Sequence, residues 1–375
     1  MRPIQMVDLK TQYQKIKPQI DKAVIDVLES AAFIGGKPVN ELADKLANYL
    51  NVKHVVPRAN GTDALQIALM ALELQPGDEV ITPSFTFIAT TEVVALLKIK
   101  PVFVDVDPAT FCMDIQSVKN AITDKTKAIV PVHLYGQATD MEPLMELAKA
   151  HNIVVIEDNA QAIGCDYTFS DGSVKKTGSI GDIGTTSFFP SKNLGGYGDG
   201  GAIFTDNDEL AGKMRIIASH GSAKRYYHEV VGVNSRLDTI QAAILGIKLP
   251  LLDEYIAARN KAASYYDAAF AGHPNIKTPA RSKNSNHVFH QYTLILENLD
   301  RNALQAYLAE QQIPAMIYYP VPGHRQQMFA AFDTNYDLPV TDYLTTRVIS
   351  LPIHTELDEE QLEYITKHVL AFCNR

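Results

Sequence analysis

The segment Ile153-Val154-Val155-Ile156-Glu157-Asp158 is a run of β-branched apolar residues that ends in two carboxylates. Similar short runs precede it, and stretches with helical periodicity separate them. The runs are 55–56, 79–81, 102–104 and 128–130, and the predicted helices are 62–74, 86–98, 114–123 and 140–151. Apolar strands that alternate with helices are typical of a mostly parallel sheet with helices on both faces. The sequence therefore predicts an α/β fold.

Further elements flank this core on both sides. The additional predicted strands are 183–189, 201–205, 287–296 and 315–318, and the additional predicted helices are 12–32, 38–50, 301–312 and 358–372. Residues 235–272 read as helical with a break at Pro250, and 274–287 read as a loop. The pattern becomes α+β after Pro274. We predict a large domain over 1–255, which includes the N-terminal helical segment, and a small C-terminal domain over 256–375.

Composition indicates the class of protein. The 375 residues are 46% hydrophobic and 21% charged, which is typical of a soluble globular protein. The net charge of -9 argues against a nucleic-acid partner, because such binding needs a basic surface. Cys112, Cys165 and Cys373 are too far apart to suggest a zinc site or a disulfide framework. With no signal-peptide pattern and no membrane-length apolar run, we expect a cytoplasmic protein without a membrane partner.

Lys192 lies in the segment Ser187-Phe188-Phe189-Pro190-Ser191-Lys192-Asn193-Leu194-Gly195-Gly196, after an apolar run and before glycines. The next charged residue along the chain is Asp199. Flanking apolar residues favour the neutral amine, which is the nucleophilic form. The glycines let a bulky ligand approach the backbone. This pattern suits a lysine that forms a Schiff base with a carbonyl cofactor.

Two other segments follow predicted strands. Gly61 permits close approach and Thr62 is a reasonable N-cap, so the start of this helix is either an anion site or simply a capped end. Phe85 and Phe87 follow the strand 79–81, where an aromatic ring either stacks on a planar ligand or packs in the core.

Asp158 ends a predicted buried strand. A carboxylate there costs several kcal/mol unless it meets a cation or hydrogen-bond donors. It either caps a helix or pairs with a buried cation such as a pyridinium nitrogen. Taken together, a lysine, an aspartate, an aromatic and the phosphate ligands Gly61, Thr62 and Ser187 predict a pyridoxal phosphate site.

With these segments the chain resembles the sugar-nucleotide aminotransferases of the DegT/DnrJ/StrS type, which have the fold type I aminotransferase architecture. The resemblance extends from Asp8-Leu9-Lys10 to Leu351-Pro352-Ile353-His354, and its most specific parts are 187–201, 157–161 and 232–238. It implies that Lys192 forms a Schiff base with pyridoxal phosphate and that Asp158 holds the pyridine nitrogen.

The same resemblance assigns the remaining cofactor contacts. It implies that Gln161 lies beside the ring hydroxyl and that Phe87 stacks on the ring. Gly61, Thr62 and Ser187 are implied phosphate ligands. Asn234 is expected to reach the phosphate in the neighbouring subunit, which implies a homodimer with shared active sites.

The implied reaction moves an amino group from glutamate to a keto nucleotide-sugar. Lys192 carries the proton and must be neutral to do so. Related sugar dehydratases have histidine at this position, so a lysine favours transamination. The most similar branch aminates C3 of 3-keto UDP-N-acetylglucosaminuronic acid, a step toward surface polysaccharide such as O-antigen. The implied substrate-facing residues are Phe33, Ser191, Arg236, Tyr318, Tyr319 and His324.

Two positions depart from that branch and leave the sugar open. Tyr318 stands where we expect histidine, and Phe33 stands where we expect tyrosine. A neutral 3-keto sugar, a 4-keto nucleotide-sugar and a keto-cyclitol therefore remain alternatives. Arg236 either pairs with a substrate carboxylate or forms a structural salt bridge.

The sequence also bears on other classes of protein and on other polar residues. A protein of another class, a regulatory protein that kept the fold without turnover, also remains an alternative. A Rossmann dehydrogenase is disfavoured, because no Gly-x-Gly-x-x-Gly follows the first strand. His133 either faces the pocket or is structural, and no metal-ligand spacing is present.

Overall fold

The computed structural model describes residues 2–332 and 335–374, and it contains helices on both faces of a large sheet. The helices are α1 (Leu9–Ser30), α2 (Lys37–Leu50), α3 (Gly61–Ala71), α4 (Ala89–Leu96), α5 (Ile115–Ala121), α6 (Met141–His151), α7 (Asp208–Ile217), α8 (Thr239–Lys248), α9 (Leu252–Phe270), α10 (Arg301–Glu310), α11 (Pro339–Thr345) and α12 (Glu359–Cys373). The strands are β1 (His54–Arg58), β2 (Glu79–Pro83), β3 (Lys100–Val104), β4 (Thr126–Ile129), β5 (Val154–Asp158), β6 (Asp166–Thr168), β7 (Val174–Lys176), β8 (Ile183–Ser187), β9 (Gly201–Thr205), β10 (Ile276–Lys277), β11 (Tyr292–Leu296) and β12 (Val348–Leu351).

The large sheet is mixed but mostly parallel, with the strand order β1-β9-β8-β5-β4-β2-β3. Strands β3, β2, β4, β5 and β8 pair in parallel, whereas β9 is antiparallel to both β8 and β1. Because β1 is separated from β8 by two antiparallel pairings, β1 runs in the same direction as the parallel strands. The carboxyl ends of β1, β2, β5 and β8 therefore meet at one edge of the sheet. This confirms the α/β fold.

The start of α3 shows how local sequence shapes this edge. Asn60 is the N-cap, because its Oδ1 accepts a hydrogen bond from the Asp63 backbone N–H at 2.7 Å. The prediction that Thr62 caps this helix is wrong, since Thr62 lies in the first turn. The first N–H groups of a helix have no partner inside it, so the turn that carries Gly61 and Thr62 can accept an anion.

A smaller antiparallel sheet, ordered β10-β11-β12, lies in the C-terminal part of the chain. Its apolar face packs with residues of α9, α10 and α12 in one buried cluster, which includes Tyr266, Leu304 and Ile365. Helix α9 begins at Leu252, so it runs through the predicted boundary between 255 and 256. The division into two domains at that point stays a prediction.

Several predicted elements differ from those observed. The expected strand 287–296 begins only at Tyr292, and 315–318 contributes a single bridge between Met316 and Ser350. The predicted loop 274–287 contains β10, and a 3-10 turn, Leu249–Leu251, interrupts the helical region at Pro250 as expected. The sequence patterns missed α7, α11, β12 and the hairpin β6–β7.

Two further features are absent from residues 2–332 and 335–374. No helix in these ranges has the length and apolar character needed to cross a bilayer. The same ranges contain no group of three or more side chains arranged to hold a metal ion. The three cysteines are free and buried.

Candidate active site

A cavity of about 550 Å³ lies at the carboxyl edge of the large sheet. Strand ends and the loop after β8 supply most of its wall. Of the residues expected at the active site, it brings together Gly61, Thr62, Phe87, Asp158, Gln161, Ser187, Ser191, Lys192, Tyr318 and Tyr319. Most of these residues are far apart in sequence, so the shared edge of the sheet explains why they meet.

Lys192 faces this cavity from the loop after β8. Burial lowers the pKa of its amine to about 8, and the negative charge of Asp158 opposes this shift. The surrounding protein therefore destabilises the ammonium form, as the apolar flanks of Lys192 predict. At pH 7 about a tenth of the amine is unprotonated and able to attack a carbonyl group, far more than for an ordinary lysine.

Asp158 is 5% exposed at the end of β5. Its Oδ2 accepts a hydrogen bond from the Thr90 hydroxyl at 2.8 Å, and its Oδ1 accepts from the Ala160 backbone N–H at 3.1 Å. These donors hold the carboxylate in place, and the cavity leaves it open to a cationic partner. Sequence reasoning did not single out Thr90, which lies 68 residues from Asp158 in the chain and meets it only in the folded structure.

Glu157 precedes Asp158 but serves a different purpose. It is fully buried, and its carboxylate accepts backbone hydrogen bonds from Gly178, Ile180 and Gly181. His133 Nε2 lies 2.8 Å from Glu157 Oε2, while His133 Nδ1 accepts from a backbone N–H at 3.1 Å. His133 therefore carries its proton on Nε2 and donates it to Glu157. Of the two hypotheses for His133, its hydrogen bonds support a structural role.

Gln161 connects two walls of the cavity. Its Oε1 accepts from the Tyr135 backbone N–H at 2.7 Å, and its Nε2 donates to the Tyr319 hydroxyl oxygen at 3.2 Å. Burial raises the pKa of the Tyr319 hydroxyl above its ordinary value, so Tyr319 stays a neutral phenol. Gln161 thus fixes a hydroxyl group on the same side of the cavity as Asp158.

The aromatic and phosphate positions also fit the predicted cofactor. Phe85 is buried, whereas Phe87 is 53% exposed and lines the cavity, so Phe87 is the ring available for stacking. A Cβ atom at Gly61 would lie 2.8 Å from Ser187 Cβ, so only glycine allows this approach without a shift. Gly61, Thr62 and Ser187 form a cradle at the N-terminus of α3, and a phosphate group fits there.

Some expected site residues lie elsewhere. Phe33, Asn234 and Arg236 are exposed and do not line the cavity of their own chain. A bridge between Ile34 and Asp238 places these segments side by side on one surface. We call the surface formed by Phe33, Asn234 and Arg236 the lateral surface.

His324 is 2% exposed, and its Nδ1 is 2.7 Å from the Ser84 hydroxyl oxygen. Its other ring nitrogen, Nε2, contacts Arg325 Nε at 3.3 Å. The ring is therefore used within the fold, which corrects the expectation that His324 faces the sugar.

Sequence reasoning missed two other polar residues of the cavity wall, His290 and Gln291. They precede β11, where we expected a strand. Burial lowers the pKa of His290 well below its ordinary value, and the charges of Lys192 and Arg259 add to this shift. His290 is therefore neutral. A His-Gln pair inside an apolar run was the signal that could have identified this segment.

A sequence profile of the DegT/DnrJ/EryC1/StrS aminotransferase family matches residues 14–370. The chain belongs to this family. The chain is similar to a "Pleiotropic regulatory protein" of Geobacillus stearothermophilus, which is 47% identical over 98% of both chains. A "UDP-2-acetamido-2-deoxy-3-oxo-D-glucuronate aminotransferase" of Pseudomonas aeruginosa is 47% identical over 96% of this chain and 98% of that protein. A "UDP-N-acetyl-3-dehydro-alpha-D-glucosamine 3-aminotransferase" of Acidithiobacillus ferrooxidans is 45% identical over 96% of both.

Solved structures agree with this membership. The fold matches NtdA of Bacillus subtilis, solved with the bound cofactor PMP, with a TM-score of 0.88 and 31% identity. The match covers 96% of this chain and 82% of that one. The present chain is therefore a pyridoxal phosphate-dependent aminotransferase of this family, and it has the fold type I architecture.

The pKa of Lys192 predicts how fast the cofactor-free protein captures pyridoxal phosphate. Because the neutral amine reacts and its pKa is about 8, the capture rate should rise about tenfold between pH 7 and pH 9, then level off. Stopped-flow absorbance measures this rate. The Asp158→Asn variant should shift the midpoint to lower pH, because it removes the charge that raises the pKa.

The control for this titration is Asp199→Asn. Asp199 lines the same cavity but is not a cause of the Lys192 shift, so this variant should keep the wild-type midpoint. A midpoint near the ordinary lysine pKa of about 10.4 would contradict the assignment.

Proposed function

We propose that this protein transfers the amino group of glutamate to C3 of a UDP-linked 3-oxo sugar, and that it works as a homodimer. The observation that carries the proposal is the cavity in which the Lys192 amine faces Asp158. Two relatives of 47% and 45% identity are named for 3-oxo sugars linked to UDP, and this similarity supports the substrate class. The proposal includes a cytoplasmic location and a step toward bacterial surface polysaccharide, such as O-antigen.

The residues of the cavity have separate roles in this reaction. When bound, pyridoxal phosphate supplies an electron sink and carries the amino group between donor and acceptor. Gly61, Thr62 and Ser187 would hold its phosphate, and Asp158 would pair with its ring nitrogen. Lys192 would move a proton between the substrate carbon and C4′ of the cofactor, which requires the neutral amine that burial favours.

The charges in the cavity wall bear on whether the substrate sugar is acidic or neutral. Among the described residues of the cavity wall, Lys192 is the only lysine or arginine, whereas Asp158 and Asp199 are both acidic. The carboxylate of a uronic acid therefore needs a cation from outside this wall. Arg236 of the partner subunit suits that role, because a guanidinium binds a carboxylate through two hydrogen bonds. A neutral 3-oxo sugar has no such need and can be held by hydroxyl groups, such as those of Tyr318 and Ser191.

The exposed apolar surface supports the homodimer. Large exposed apolar patches on a protein mark association surfaces, and most homo-oligomers are dimers with a twofold axis. The exposed residues include Ile25, Leu28, Phe33, Ile34, Tyr226, Tyr227 and Val231. Phe33 also belongs to the lateral surface, together with Asn234 and Arg236. The proposal is that the partner subunit covers this surface and that Asn234 and Arg236 then reach its cavity.

Other acceptors fit the same scaffold. A 4-keto nucleotide-sugar is the main alternative, and a relative of 39% identity from Caulobacter vibrioides is named "GDP-perosamine synthase". A keto-cyclitol is a further alternative. The relative named as a regulatory protein raises the possibility of a second role, but the retained Lys192, Asp158 and phosphate cradle support turnover in this chain.

The sugar is tested with protein loaded with pyridoxamine phosphate and mixed with single ketones. The panel contains UDP-linked 3-oxo-N-acetylglucosamine, its uronic acid, a 4-keto nucleotide-sugar and a keto-cyclitol, and the return of visible absorbance measures amino transfer. A UDP-linked 3-oxo sugar should react fastest. Faster reaction of the 4-keto sugar or the cyclitol would overturn the proposal.

Within this panel, Arg236→Gln separates the two 3-oxo sugars. It should lower kcat/KM for the uronic acid at least about tenfold and for the neutral sugar less than about threefold. The half-reaction with glutamate is measured separately, because the donor also carries carboxylates. A loss confined to glutamate would assign Arg236 to the donor instead.

Shared active sites predict complementation between inactive variants. Lys192→Ala lacks the amine in its own cavity, and Asn234→Ala lacks the group that reaches the partner's cavity. Mixed dimers contain one intact site, so random reassortment should restore about a quarter of wild-type activity. Native mass spectrometry confirms that mixed dimers form. Mixed dimers without restored activity would show that Asn234 acts within its own chain or is not needed.

A further inference from the structure

A separate cavity of about 400 Å³ lies beside the edge strand β1. Residues of α2, β1 and α7 line it, together with Arg236 and Leu237. It shares no lining residue with the Lys192 cavity. Because Arg58 is its most buried cation, we call it the Arg58 pocket.

Arg58 is buried without an acidic partner. It is 9% exposed, its Nε donates to the Val56 carbonyl oxygen at 3.2 Å and an Nη donates to the Ser235 carbonyl oxygen at 2.6 Å. Over residues 2–332 and 335–374, no ion pair includes Arg58. Carbonyl groups are neutral, so they do not balance its charge. A buried cation without a counter-ion is costly, and an anion in the adjacent cavity relieves that cost.

The other charges of the pocket increase this imbalance. Burial and the like charge of Arg215 lower the pKa of Arg58 to about 10, with only a smaller opposing effect from Asp63. Arg58 still remains a cation at neutral pH. Arg215 and Arg236 also line the pocket, and the one acidic residue in its wall, Asp44, forms no ion pair within the described ranges.

We propose that the Arg58 pocket binds a phosphoryl anion, either free phosphate or pyrophosphate or the diphosphate of a nucleotide. Guanidinium groups are planar and donate two parallel hydrogen bonds to phosphate oxygens, and they carry little hydration that must be removed. Arg58 and Arg215 around one cavity suit an anion with more than one negative charge, and this does not require Arg236, which is assigned to the partner's cavity. The proposal does not depend on the identity of the sugar.

The pocket is joined to the active-site framework. Arg58 contacts the Ser235 carbonyl oxygen, and the Ser235 hydroxyl accepts from the Ala59 backbone N–H at 3.1 Å. Ala59 directly precedes the Asn60 cap of α3, and Ser235 lies between Asn234 and Arg236. An anion held by Arg58 would therefore lie between the phosphate cradle and the lateral surface.

The test is isothermal titration calorimetry of the holoenzyme with pyrophosphate, so that the cofactor already fills the phosphate cradle. Wild-type protein should bind saturably, and Arg215→Gln should raise Kd at least about tenfold. Arg215 is exposed, and within the described residues its side chain makes one long hydrogen bond, to His54 at 3.5 Å, so this variant should fold. Arg215→Lys, which keeps the charge but loses the planar fork, should give an intermediate Kd.

Lys213→Gln is the matched control, because it removes the same charge from the same helix but does not line the pocket. It should leave Kd unchanged. The proposal would be overturned if pyrophosphate did not bind saturably, or if Arg215→Gln and Lys213→Gln raised Kd equally. An unchanged Kd in Arg215→Gln would also overturn it.

Separate titrations with phosphate and with UDP distinguish the sources of the anion. Tighter, Arg215-dependent binding of UDP indicates a nucleotide, whereas equal affinity for pyrophosphate and UDP indicates a free anion. UDP is also expected to bind at the proposed substrate site, so only the Arg215-dependent component of UDP binding reports on this pocket. Absence of that component would contradict a nucleotide site here. All of these outcomes are independent of amino transfer, so they do not fail with the proposed substrate.

Discussion

The burial of the Lys192 amine opposite the Asp158 carboxylate is the constraint on which the rest of the site depends. Burial alone lowers the pKa of the amine, and the nearby carboxylate partly reverses this effect, so the pKa settles at about 8. The amine is therefore reactive near neutral pH. The same carboxylate remains ready to pair with a cation, because Thr90 and Ala160 satisfy only part of its hydrogen-bonding capacity.

Strand geometry explains how two adjacent carboxylates acquire different roles. Successive side chains of a strand point to opposite faces, so Glu157 and Asp158 leave β5 in opposite directions. Glu157 meets His133 and three backbone N–H groups inside the protein, whereas Asp158 meets the cavity. Glu157 therefore fixes the loop that follows β7, whereas Asp158 is left to pair with the cofactor.

The parts of the fold that could be predicted from sequence were those with a strong local pattern. Buried strands such as β5 are continuous apolar runs, and Lys192 is conspicuous among apolar and glycine neighbours. The hairpin β6–β7 has no such pattern, because it is mostly exposed and polar. His290 was missed, and His324 was expected to face the sugar, because their positions depend on distant partners. Only tertiary packing places His290 at the cavity and His324 against Ser84.

A perturbed pKa alone does not identify the reactive lysine. Burial also lowers the pKa of Lys248 to about 8, yet its amine donates to the Gly195 carbonyl oxygen at 2.5 Å and does not line the cavity. Lys248 supports the glycine loop that follows Lys192, and Lys192 alone faces Asp158. Borohydride reduction of the holoenzyme, followed by peptide mass spectrometry, tests this distinction directly. The account predicts that the cofactor becomes fixed to Lys192, and fixation to Lys248 or to any other lysine would contradict it.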